Sequence, residues 1–98
     1  MHKRNIKNLD TAIRIYYENT EIGNPEIREL FGNLANSTIL HMKNEVLKEM
    51  TERKTPRFRY HTVNTEVAFE VWGIDVSDLE KRRSKLIKLG LLPKSTAV

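Results

Sequence analysis

Apolar residues recur with a helical period along nearly the whole chain, and the breaks in that period fall at glycine, proline or a capping residue. Leu9, Ala12, Ile13 and Tyr16 stand at i, i+3, i+4 and i+7, which predicts an amphipathic helix over about residues 8–19. "NPEIRELF" then presents Asn24 as an N-cap, Pro25 at the first helical position, where its missing N–H is not needed, and Glu26 facing the helix dipole. Gly32 stops this second helix, whose inward side is Ile27, Leu30 and Phe31. A third helix is predicted from about Asn36 to Glu52. At about 100° per residue, Ile39, Met42, Val46 and Met50 keep to one side, and Leu40 and Leu47 widen that stripe. On the opposite side stand Ser37, His41, Asn44 and Lys48, a polar row without an acidic member. Glu45, Glu49 and Glu52 lie to one flank.

The period changes over "RKTPRFRYHTV", residues 53–63. Pro56 breaks any helix, and Arg57, Phe58, Arg59 and Tyr60 alternate at the period of a strand. Two readings stay open: an ordered linker with its aromatics on the core, or a basic arm or one-stranded wing that touches phosphates. Helicity resumes after Asn64, another cap. Val67, Val71 and Ile74 lie on one side, with Phe69 and Trp72 on another. A short helix apolar on both faces must be sandwiched or must meet a second chain, and Phe69 and Trp72 are therefore the candidate interface of a homodimer. Ser77 and Glu80 form an S-x-x-E capping box that opens a last helix through about Leu89, ended by Gly90. Its apolar side is Leu79, Leu86, Ile87 and Leu89. Lys81, Ser84, Lys85 and Lys88 share the other.

These elements describe one all-α domain over residues 1–98, with a core unit at 8–52, a basic connector at 53–63 and a C-terminal helical hairpin at 64–90. Ninety-eight residues suffice for one modest core. Cysteine is absent, so burial alone must hold that core. Mean hydropathy is −0.55. No apolar run approaches the roughly 18–20 residues of a membrane span, and "MHKRNIKN" lacks the apolar centre of a signal peptide, so a cytoplasmic protein is expected. Seventeen basic residues against 13 acidic ones leave a charge of +4. The positive residues concentrate in "ERKTPRFRYH" and "EKRRSKLIK", which places a field suited to a polyanion in the second half.

Residues 25–47 resemble the helix-turn-helix DNA-binding family, of the small phage or mobile-element regulator type. Ile27, Leu30 and Phe31 match the apolar positions of its first helix, Gly32 the turn glycine, Leu34 the apolar residue after the turn, and Ile39 and Met42 the docking positions of its second helix. The turn is one residue longer than the tight form, and Arg28 stands where a small residue is usual. The resemblance implies a transcriptional or mobile-element regulator whose helix from Asn36 enters the major groove of double-stranded DNA. Ser37, His41 and Asn44 then meet base edges, while Lys48, Arg57, Arg59, Lys81, Lys85 and Lys88 meet phosphates. "NTEVAFEVWGIDVSDLEKRRSKLIKLG" repeats the layout of "NPEIRELFGNLANSTILHMKNEVLKEM": an Asn cap, Glu at the second helical position, aromatic-Gly, an apolar residue and Ser. A second helix-turn-helix is one reading of this, with Phe69 in place of the usual small residue and Arg82 in place of an apolar one.

The other class of function is a helical protein–protein interaction or assembly module, an adaptor whose polar row is merely solvated. An enzyme is not expected. His2, His41 and His61 lack the spacing and carboxylate neighbours of a metal site, and Glu66 and Glu70 on one helical face are an ordinary solvated pair. Neither a glycine-rich phosphate loop nor a nucleophile elbow occurs, so no cofactor is implied.

Overall fold

The computed structural model of the chain describes residues 6–91. In chain order the elements are α1 (Leu9–Glu18), β1 (Glu21–Ile22), α2 (Asn24–Phe31), α3 (Asn36–Arg53), β2 (Val63–Asn64), α4 (Thr65–Val71) and α5 (Val76–Lys88). The five helices follow the apolar periods of the sequence, and side-chain caps satisfy otherwise orphaned N–H groups at the starts of α1 and α4, whereas Ala35 opens α3 without one. Asn8 Oδ1 accepts from the Thr11 N–H at 3.0 Å, and Asn64 Oδ1 from the Val67 N–H at 3.0 Å.

Two helix starts differ from expectation. The cap of α2 is Gly23, whose N–H donates to the Glu26 carboxylate at 2.7 Å. Asn24 is already helical, which leaves its side-chain oxygen to accept from Lys43 Nζ at 2.8 Å. The Ser77–Glu80 capping box does not form. Gly73, at φ +75°, turns the chain early enough for helical geometry to begin at Val76, so Asp75 becomes the cap and accepts from the Asp78 N–H at 3.2 Å. Glu80 instead accepts from the Tyr17 hydroxyl at 2.9 Å, joining α5 to α1.

The domain is mostly helical, but it carries one feature that helical periodicity does not announce. β1 and β2 pair antiparallel, Glu21 opposite Asn64 and Ile22 opposite Val63. Each strand leads directly into a helix, a glycine turn and a second helix, so the repeated sequence layout has a repeated element order. Phe31 and Trp72, the aromatic residues that precede the two turn glycines, meet edge to face with centroids 5.6 Å apart.

One apolar cluster draws on both halves of the chain, from Ala12 and Ile15 through Ile39 and Val46 to Phe69 and Leu79. α1 packs chiefly on α5 and α2, and α3 on α4 and β2. α4 is covered on both sides by its own chain. Tyr16 of α1 lies against Phe69 at 5.1 Å between centroids, and Phe31 of α2 against Trp72. Phe69 and Trp72 are only 1% and 3% exposed, so neither ring forms the surface of a dimer interface as the sequence suggested. Each stabilises the fold of the single chain by about 1.5–3 kcal/mol through burial. Leu40 also departs from expectation: it lies one step round the helix from Ile39 and is 56% exposed. Leu89, beyond the end of α5, is exposed as well.

Candidate nucleic-acid interface

The polar row of α3 is on the surface. Ser37, His41, Asn44 and Lys48 are all exposed, while Ile39, Met42, Val46 and Met50 on the opposite side are buried. The helix enters this region through the turn at residues 32–35, where Gly32 adopts φ +103° and the Leu34 N–H closes on the Gly32 carbonyl at 2.9 Å. Arg28 occupies the position where a small residue was expected, and its guanidinium reaches over to the Asn36 side chain at the start of α3. α2 is held mainly by α1 and β1, and α3 by α4 and β2, so each helix leans on a third element more than on the other.

The two flanks of the row differ in charge. On one side Glu49 is paired with Arg53 at 2.8 Å, and Glu45 and Glu52 face solvent. On the other side, past Leu40, Lys43 bridges to Asn24 Oδ1 at 2.8 Å and to the His61 carbonyl at 3.2 Å. Burial, and then the positive charge of Arg57, holds the Lys43 ammonium below the usual lysine range. Lys43 thereby ties α3 to the connector.

Between α3 and β2, residues 54–62 of that connector are neither a strand nor a linker with its aromatics on the core. Lys54 takes the left-handed conformation at φ +57° and ends α3, after which the chain turns back towards β2 over residues 59–61. Phe58 and Tyr60 are 73% and 76% exposed. What holds the connector is Glu21 of β1, a carboxylate only 3% exposed. It accepts from the Phe58 N–H at 2.6 Å, the Arg59 N–H at 3.0 Å and the Thr62 hydroxyl at 2.8 Å. The Arg59 guanidinium donates to the Glu21 main-chain carbonyl at 3.0 Å and sits 3.5 Å from its carboxylate. Burial alone raises a carboxyl's pKa, but these donors outweigh it and hold Glu21 below the usual carboxylate range. The Arg57 guanidinium lies over the Tyr60 ring at 5.5 Å and donates to the Tyr60 carbonyl, while the His61 ring meets Tyr60 at 4.5 Å.

Arg57 and Arg59 are exposed on this basic segment, and nothing in the sequence pointed to Glu21, which carries no motif. "NTEIGNP" reads as an ordinary turn between helices. Lys81, Lys85 and Lys88 are exposed too, but they stand on α5, whose principal neighbour is α1, and the structure does not gather them with the α3 row. Lys48, Lys81, Lys85 and Lys88 enter no ion pair among the described residues.

A cleft of about 560 Å³ lies along α1, α4 and the start of α5, lined by Tyr16, Glu66, Phe69, Glu70 and Asp75 among others. Its sign is wrong for a polyanion. No cluster of three or more metal-ligating side chains occurs among the described residues, and no described helix is long and apolar enough to cross a membrane. The chain matches no family model, and neither a curated protein nor a solved structure is significantly similar to it.

Proposed function

We propose that the protein binds double-stranded DNA as a small transcriptional or mobile-element regulator and that α3 is its reading helix. The observation that carries this reading is the surface formed by Ser37, His41, Asn44 and Lys48, exposed along α3 and bordered on one side by Lys43 and the connector with Arg57 and Arg59. Asn44 has the donor and acceptor that match an adenine edge, His41 can donate to guanine, and Ser37 lies one turn nearer the start of the helix. Lys48, farther along, and Arg57 on the connector are placed for phosphates, and Arg59 shares its charge with Glu21.

The test is electrophoretic binding to random-sequence DNA over a salt series, followed by selection of a preferred site. His41→Ala and Asn44→Ala are each expected to lose roughly 1–3 kcal/mol on that site and much less on unrelated DNA. Equal losses on both DNAs, or none on either, mean that α3 does not read sequence. Absence of binding even at low salt favours an interaction module, a reading that the acidic cleft along α1 and α4 supports.

A further inference from the structure

The connector displays a ring that phosphate contact leaves without a task. Phe58 is 73% exposed, yet its own N–H is fixed to the buried Glu21 carboxylate at 2.6 Å, and the next N–H is fixed to the same group at 3.0 Å. Tyr60 is engaged by Arg57 and His61, whereas no aromatic ring or cation lies against Phe58 among the described residues. Single exposed apolar side chains are ordinary on loops. This one stands on backbone held in place at the cost of burying a carboxylate, so its position is specified rather than incidental.

We infer that Phe58 is an apolar wedge that inserts at a base step of the duplex beside the site read by α3. The inference rests on the DNA-binding reading above. Arg57 and Arg59 precede and follow Phe58 in the chain, and Lys43 connects its loop to α3 through the His61 carbonyl. An apolar protein partner would have to strip water from those cations without replacing it. A nucleic acid neutralises them with phosphates and offers the ring the face of a base, and apolar side chains inserted at base steps are a known mode of duplex recognition. Because Glu21 already orders the loop, little conformational freedom is lost when the ring inserts. Glu21 is accordingly a positioning residue for the wedge.

The experiment uses the whole chain and its selected duplex, carrying 2-aminopurine at successive positions flanking the α3 site, and reads affinity, salt slope and base unstacking together. Phe58→Ala is expected to bind roughly 5- to 140-fold more weakly, the range that loss of one stacked base contact represents. It should also abolish the fluorescence rise of the unstacked base while leaving the salt slope unchanged, because no charge is removed. Phe58→Leu keeps an apolar wedge and should retain part of both signals. Glu21→Gln should lower the fluorescence rise with helical content preserved. If the wild-type protein binds and Phe58→Ala matches it in affinity and fluorescence, the wedge is overturned while the DNA-binding reading stands. A marked fall in Tm for Phe58→Ala overturns it too, by showing that the ring packs within the fold. If the wild-type protein binds no DNA at any salt, both readings fall together.

Discussion

Replacing Glu21 with alanine should damage the connector before anything else. The Glu21 carboxylate serves two main-chain N–H groups and one hydroxyl at 2.6–3.0 Å, with an arginine at 3.5 Å. A hydrogen bond to a charged group contributes about 1.5–3 kcal/mol, but the donors on Phe58 and Arg59 lie near the surface and water replaces part of the loss. Deletion also recovers the cost of burying the charge. The net effect expected of Glu21→Ala is about 3 kcal/mol, which for a domain of this size lowers Tm by more than about 10 °C. Urea denaturation should show a lower midpoint with the same slope. Amide exchange should accelerate most at Phe58 and Arg59, because their N–H groups lose their acceptor.

The same group sets a pH dependence. Its folded pKa lies below the unfolded reference of 4.5, so its stabilisation is fully present above that reference and is lost as pH falls through the folded value. Glu21→Gln, which does not titrate, should lack that part of the acid transition. A loss under about 1 kcal/mol for Glu21→Ala, with unchanged exchange at both amides, would refute the reasoning that the carboxylate holds the connector.

Other outcomes follow from the caps, the core and the charge placement. Asp75→Ala should lose about 1 kcal/mol in thermal or urea unfolding because it removes the cap of α5, whereas Ser77→Ala should stay within about 0.5 kcal/mol because the serine is exposed inside the first turn. Ile39→Ala should lose about 2–5 kcal/mol of stability whatever the protein binds, since Ile39 is fully buried. In DNA titrations over a salt series, Lys48→Ala and Arg57→Ala should each flatten the salt dependence by about one counterion. Lys81→Ala, Lys85→Ala and Lys88→Ala should leave it unchanged, because α5 packs on α1 rather than beside α3.

What the sequence determined by itself was local. Helix spans follow from the recurrence of apolar residues, which needs only 3.6 residues per turn, and the exposed row on α3 follows from the same arithmetic applied to the opposite side. Gly32 as a helix stop and Asn64 as a cap are likewise short-range, each depending on residues within a turn of itself. The tertiary structure decided whatever depends on partners distant in the chain. Glu21 is buried because its donors come from residues 58, 59 and 62, and β1 exists because β2 lies beside it. Phe69 and Trp72 were legible as buried side chains, but that α1 and α2 cover them, rather than a second chain, was settled by how the helices pack. The choice of Asp75 over Ser77 as the cap of α5 is, by contrast, local, because Gly73 and Asp78 both lie within three residues of Asp75. Periodicity records which side of a helix prefers to leave water, whereas the element that meets that side is chosen by the packing of the whole chain.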